Sequence, residues 1–271
     1  MAKPRKQMKL MNLLELIETT NITYERTSSY KVIASKQNEL LDFIKPETDI
    51  TKIDYKIIQS YIDFLYEKQN KPATINSKLA YLRSILNYAY HNGLIKNKPY
   101  IPTVKNRATK TLYFSDSEVD KMLLYTEEHQ LRELQQVILI GLNLGLRISE
   151  ILAINPEINI QDNYYRSYNN KTQEEFSIPL NLTMQELFNN SFTKFTMNYQ
   201  AIQYQFKQML SNLNIKDKTI HTLRHTYCSR LVQKDVALPV IKALANHKNI
   251  QTTMRYTHIS NKQLEKAVEM L

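Results

Sequence analysis

The stretch "HTLRHTYCSRL" (residues 221–231) gathers two histidines and an arginine into its first five positions, at what reads as a helix start. A hydrophobic core has little use for three proton carriers side by side; an anion, and above all a phosphate, has one. His221 and Arg224 stand three apart, so both can point the same way from the first turn. The helix N-terminus adds its own positive end, which suits a bound phosphate. His225 is expected to be rotated away, as a packing or hydrogen-bonding residue. The pair His221 and His225, at i and i+4, also has the spacing of two metal ligands. No Glu completes an HExxH pattern, however, and an arginine between the two opposes a cation. No metal and no cofactor is expected.

Three further segments hold unusual polar residues. "GLNLGLRISEIL" (141–152) puts Arg147 on an otherwise apolar helix, among Leu142, Leu144, Leu146, Ile148, Ile151 and Leu152. An arginine in such a setting needs a partner. Glu150, three residues on, can hold the guanidinium, although the two alone read equally well as a structural ion pair. "NNKTQEEF" (169–176) puts Lys171 in a turn that composition would call solvated. "LANHKNIQTTMRYTH" (244–258) supplies His247 and, nine residues later, Tyr256. Either of these alone would read as structural.

Composition narrows the choice of chemistry. The chain has 271 residues, 42% hydrophobic and 23% charged, the profile of a soluble globular protein of one or two domains. With 3 glycines it lacks both the GxxxxGK[ST] loop and the GxGxxG turn, which argues against nucleoside-triphosphate chemistry. Cys228 is the single cysteine, so an internal disulfide is excluded and a reducing compartment fits. The basic N-terminus turns apolar but is interrupted by Glu15 and Glu18, unlike a signal peptide. The longest apolar run, "VILIGLNLGL" (137–146), is about half of what a membrane span needs. A cytoplasmic protein with no membrane partner is expected.

The net charge of +10 is unevenly spread. Residues 1–110 hold 19 Lys and Arg against 10 Asp and Glu, whereas residues 111–271 hold 17 against 16. A basic first region fits a polyanion such as nucleic acid, or simply a solvated surface.

Periodicity gives the organisation. Residues 28–44 carry Val32, Ile33, Leu40, Leu41 and Ile44. Asp54 can cap a second helix with Ile57, Ile58, Tyr61, Ile62 and Leu65 on one stripe. A third follows Pro72 and ends at Gly93, and "MNLLELIE" adds a short one in front. This is an all-helical bundle. "PYIPTVKNRATKTLYF" (99–114) has two prolines, three basic residues and no apolar period, and reads as a basic linker. Ser115 then caps another helix, a buried helix follows, and 158–180 alternate like a small antiparallel sheet before helices return. The expected fold is mainly α with a small antiparallel β-sheet, divided as 1–98, a linker at 99–114, and 115–271.

In order and spacing, "GLRISEIL", the lysine of "NNKTQ", "HTLRHTYCSRL" and "LANHKNIQTTMRYTH" resemble the tyrosine recombinases of the phage-integrase family. The resemblance is strong over 115–271. The bundle before it is similar to that family's helical core-binding (SAM-like) domain. The layout resembles the two-domain Xer-like or Cre-like members, without the N-terminal arm-binding domain of larger phage integrases. The resemblance implies Arg147 and Arg224 as an arginine pair on a DNA phosphate, with His221 and His247 beside them. It implies Lys171 on a hairpin as the acid for the leaving 5′-oxygen, and Tyr256 as the nucleophile forming a 3′-phosphotyrosyl bond. One departure is Asn246, where the family usually has glycine before the histidine.

The resemblance further implies a bacterial, phage or mobile-element enzyme working without metal or ATP. Its partners would be double-stranded DNA with paired inverted sites and three more copies of itself, exchanging strands through a Holliday junction. An accessory protein is left open. The tail "NKQLEKAVEML" (261–271) would be a short helix docking on a neighbouring subunit. Two alternatives stand beside this reading: a type IB topoisomerase that relaxes DNA, and a non-catalytic architectural or regulatory DNA-binding protein.

Overall fold

The computed structural model describes residues 11–24, 30–105, 111–169, 174–256 and Glu269. The chain divides into two compact units, Met1–Ala108 and Thr109–Leu271. Lys171 and the tail 261–268 and 270–271 lie outside the described residues.

The first unit is a helical bundle of α1 (Leu13–Tyr24), α2 (Tyr30–Phe43), α3 (Tyr55–Glu67) and α4 (Pro72–His91). Local chemistry sets the helix starts. Asn12 and Glu15 cap each other reciprocally, each side chain accepting from the other's backbone N–H at 2.9 and 3.2 Å. Asp54 accepts from the Ile57 N–H at 2.9 Å, and Pro72 opens α4, where its missing N–H costs nothing. The apolar stripes meet in one core that includes Leu16, Leu40, Ile58, Leu65, Leu79 and Leu82. Each fully buried Leu or Ile there contributes about 1.5–3 kcal/mol relative to exposure. Val32 departs from the expected stripe: it is 60% exposed, while Gln37 turns inward and pairs with Asn21 of α1.

The segment 99–114 is not an open connector along its described length. Ile101 and Val104 pack on the helical core. Asn76 brackets Val104 with two hydrogen bonds of 2.9 Å, and Arg83 donates to the Ile101 carbonyl at 3.0 Å. Side chains of α4 thus supply the partners that an extended backbone lacks, which composition cannot reveal. At the other end, Phe114 is 1% exposed in the core of the second unit.

The second unit begins at α5 (Asp116–Glu128), held by a capping box between Ser115 and Glu118. α6 (Arg132–Leu144) follows and is buried on most sides: Leu134, Val137, Ile138, Ile140, Leu142 and Leu144 all face the core. Gly145, at φ +61°, ends it in the left-handed turn that glycine adopts without strain. Then come α7 (Ile148–Leu152), α8 (Pro156–Asn159) and three antiparallel strands in the order β1-β2-β3: Ile160–Gln161, Tyr164–Asn169 and Glu174–Pro179. The cross-strand pair Tyr165 and Ile178 faces the core, while Tyr164 and Tyr168 stay exposed. α9 (Leu182–Glu186), a π turn at Leu187–Ser191 and α10 (Tyr199–Asn212) complete the wall around α6. α11 (Thr222–Gln233), α12 (Leu238–Leu244) and α13 (Ile250–Met254) carry a second, smaller core of Tyr227, Cys228, Ile241, Ala245 and Tyr256.

α11 lies close on α6, and two glycines permit it. A β-carbon on Gly141 would come within 3.0 Å of Leu223, and one on Gly145 within 2.2 Å of Tyr227. The glycines of "GLNLG" therefore serve helix packing, and the approach puts "HTLRH" against the turn that precedes Arg147.

Candidate active site

Arg147 caps the start of α7 and does not sit within one long apolar helix, as its neighbours suggested. Gly145 breaks the chain direction, so Leu142, Leu144 and Leu146 go into the core while Arg147 turns out, its side chain 45% exposed. Glu150 holds it at both ends. One carboxylate oxygen accepts from the Arg147 backbone N–H at 2.7 Å and the other from its guanidinium at 2.8 Å. The side chain is oriented yet open to solvent on its other face.

Arg224 is placed in the opposite manner. It is 4% exposed and donates to two backbone carbonyls, Gly145 at 2.8 Å and Ala245. These tie three distant segments together: α11, the turn before Arg147, and the end of α12. Among the described residues no carboxylate lies within ion-pairing distance of Arg224. Burial is the chief influence disfavouring its cation, and the charge of Arg147 adds to it. A guanidinium has five N–H donors, so the two carbonyls leave others for an incoming anion.

His221 is the N-cap residue of α11, exposed and making no capping bond of its own. Thr222 accepts from the Thr219 N–H at 2.9 Å, just ahead of the helix. The His221 imidazole is not engaged in capping. His247 is 7% exposed, and its Nδ1 lies 2.9 Å from the Thr253 hydroxyl. Asn246 before it takes φ +47°. Asparagine tolerates the left-handed region better than most residues, so the turn that usually uses glycine survives the exchange.

Tyr256 follows α13 and is 7% exposed. Its hydroxyl lies 2.6 Å from Nδ1 of His225, and its ring runs parallel to that of His247 at 6.4 Å. His225 in turn meets His221 edge to face at 4.7 Å. His225 was expected to point away from His221 and Arg224. Four residues along an α-helix is only about 40° around its axis, so His221 and His225 share a stripe. The i, i+4 spacing was the signal that could have included His225 in the site.

The electrostatics are those of a buried, cation-rich site. Burial pushes His225 and His247 down to about 4, and Arg224 among other positive neighbours adds to both. His221 is lowered for the same reasons, burial first, then Arg224 and Arg147. At neutral pH His225 and His247 carry no charge. Tyr256 is raised above the usual phenol value by burial first, while Arg224 and Arg255 pull it back down. Of the expected residues, the structure brings together Arg147, Glu150, His221, Arg224, His247 and Tyr256, and adds His225; Lys171 lies outside the described residues. Among the described residues no group of three His, Cys, Asp or Glu is arranged to hold a metal.

Known protein families match most of the chain. The "Phage integrase family" profile matches residues 113–263, and the "Phage integrase SAM-like domain" profile matches 12–108. Tyrosine recombinase XerC of Staphylococcus aureus is 22% identical over 286 aligned positions, covering 94% of this chain and 95% of that protein. Among solved structures, the Tn1549 transposon integrase with a circular intermediate DNA superposes with a TM-score of 0.79. It covers 96% of this chain and 100% of that one at 16% identity. A lambda integrase tetramer bound to a Holliday junction gives a TM-score of 0.74 over 92% of this chain and 78% of that one, also at 16%. XerH bound to a palindromic difH substrate gives 0.70, over 94% and 84%, again at 16%. At such identities the superpositions establish the shared fold. The profile match spans more than half of the chain and covers the arginines, histidines and tyrosine that the fold gathers around one point, and on that ground the chain belongs to the phage integrase family.

Proposed function

We propose that Tyr256 attacks a DNA phosphodiester held by Arg147 and Arg224, and that this step drives site-specific recombination. Membership of the family makes the chain a DNA-cleaving and rejoining enzyme. The observation that carries the assignment of residues is Arg224. A buried cation with carbonyl partners and no carboxylate is costly unless an anion joins it. Tyr256 lies close enough to feel the charge of Arg224.

The chemistry follows from the groups. A pentavalent phosphorus carries more negative charge than the diester, and two guanidinium forks can hold its nonbridging oxygens. His221 and His247 add N–H donors, His247 as a neutral imidazole. The phenol oxygen of Tyr256 forms a bond to phosphorus as the bond to the 5′-oxygen breaks. Lys171 supplies the proton that the leaving 5′-oxygen takes. The product is a 3′-phosphotyrosyl bond and a free 5′-hydroxyl. Attack by a 5′-hydroxyl from a partner strand reverses the step without ATP.

The same reading extends to assembly. The chain works as a homotetramer on two double-stranded sites with inverted repeats and passes through a Holliday junction. The lambda integrase tetramer on a junction and XerH on palindromic DNA, both sharing this fold, support that part. The site of action is the cytoplasm, on bacterial, phage or mobile-element DNA; among the described residues no helix is long and apolar enough to cross a membrane.

The test is covalent trapping. Wild-type protein should form an SDS-resistant adduct with a nicked suicide substrate, and Tyr256→Phe should form none while still shifting DNA in a gel. An undiminished adduct in the variant would overturn the nucleophile. Holliday junctions from paired sites would separate recombination from simple relaxation.

A further inference from the structure

We propose that His225 is the proton acceptor for Tyr256 in strand cleavage, and the donor that returns that proton on rejoining. The inference rests on Tyr256 being the nucleophile. Of the histidines around Tyr256, His225 alone among the described residues has a ring nitrogen on the hydroxyl, at 2.6 Å. Nδ1 of His247 is taken by Thr253, and its ring lies flat beside the phenol, 6.4 Å away. His221 touches His225 edge to face and stands at the exposed helix start.

The placement has a mechanical logic. His225 follows Arg224 directly on α11, a helix fixed to α6 by the close approaches at Gly141 and Gly145. One rigid turn would thus carry both a ligand of the phosphate and the base for its attacker, so the two stay in register. A neutral imidazole with its proton on Nε2 presents a lone pair at Nδ1, as an acceptor from a phenol must.

The charged and titratable groups around His225 favour that neutral form. They are His221 and Arg224 on α11, Arg255 beside Tyr256, and His247 after α12. Burial acts in the same direction and is the largest influence.

The proton balance closes. As the Tyr256 oxygen bonds to phosphorus, its proton passes to Nδ1 of His225, leaving an imidazolium. The 5′-oxygen departs with a proton from Lys171. In the reverse step the incoming 5′-hydroxyl attacks phosphorus and loses its proton to Lys171. Tyr256 leaves and recovers its own from His225. The imidazolium forms while the anionic phosphate is bound nearby, which offsets the repulsion from the arginines.

Single-turnover cleavage of a suicide substrate tests this, with DNA affinity measured alongside. His225→Asn can still hydrogen-bond the phenol but cannot take its proton. It should bind DNA as wild type does and cleave slower by the ~10²–10⁴ factor of a lost general base. Cleavage by His225→Asn at the wild-type rate would overturn the proposal, leaving His225 as a hydrogen-bonding residue. A second measurement uses wild-type protein and does not depend on the variant folding. On DNA with a bridging 5′-sulfur, whose departure needs no acid, the rate should still fall as pH drops and His225 protonates. With His225 held near 4, the rate should stay level down to about pH 5 and fall below it; a profile that stays flat down to pH 3.5 would equally sink the idea. Failure of wild-type protein to form any adduct would instead remove Tyr256 as nucleophile, so the two readings fail separately.

Discussion

The two units place their polar groups in opposite ways. In the helical unit the buried polar residues among those described are Thr20 and Gln37, and its large positive excess is dispersed over the sequence. In the second unit the charges nearly cancel, yet Arg224, His247, Thr222, Thr226, Ser229 and Thr253 are all buried. Buried polar side chains need partners, and each one that lacks them costs stability. The first unit avoids that cost and makes its core from apolar stripes. The second accepts it away from the site at Thr126 and Gln136, and most densely around Arg224, a cation with two carbonyls as its hydrogen-bond partners. Charge on the outside suits a surface that lies along a phosphate backbone. Charge on the inside suits one phosphate at a time.

The largest effect that would sharpen this contrast after loss of Tyr256 is expected at Lys171. Lys171→Ala should slow cleavage of ordinary DNA by ~10²–10⁴, yet cleave DNA with a bridging 5′-sulfur at nearly the wild-type rate. Equal defects on both substrates would leave Lys171 as a mere DNA contact.

Next comes Arg224→Lys. An ammonium keeps the charge but loses the planar fork that reaches both carbonyls and, in the proposed role, would also reach the phosphate. Cleavage should drop by ~10²–10³, the cost of one donor aimed at a developing oxyanion, with no rescue by sulfur. A rate within threefold of wild type would show that charge alone suffices at this position.

A pair of core variants separates the units by stability. Leu65 is fully buried in the helical unit, and Leu65→Ala should cost about 2–5 kcal/mol in chemical denaturation. The protein that remains folded should cleave at the wild-type rate once DNA is saturating. Gly145→Ala forces a side chain into φ +61° and against Tyr227, a strain of about 1–3 kcal/mol. Because the Gly145 carbonyl holds Arg224, this variant should lose cleavage as well as stability. Wild-type cleavage by Gly145→Ala would break the link between helix packing and site.

The last effect is in pH and is read from stability alone. His225 and His247 are held near 4 in the folded chain, against about 6.5 when unfolded. Between those values the unfolded chain binds more protons. The stability tied to the neutral imidazoles is therefore complete above pH 6.5 and is lost as pH falls through 4. Melting temperature should decline over that window, and the decline should be shallower in His247→Gln. An identical slope in the variant would assign the titration to other groups.

Much of this molecule was legible in the sequence because its signals are local. Asp54, Pro72 and Ser115 mark helix starts through hydrogen bonds and dihedral preferences that reach four residues or fewer. The apolar stripe of α3 names its own buried face, and the alternation in 158–180 becomes a three-stranded sheet. The motif spacing selected Arg147, Glu150, His221, Arg224, His247 and Tyr256 as a set. Tertiary structure alone decided how each is used. Arg147 became an exposed cap because Gly145 turns the chain, and Arg224 became buried because carbonyls 79 and 21 residues away close around it. His225 joined the site because Tyr256, 31 residues on, folds back to it. Ile101 and Val104 left the linker because Asn76 and Arg83 satisfy their backbone. Periodicity and capping act along the chain, whereas burial, desolvation and hydrogen-bond partnership depend on which distant segments meet.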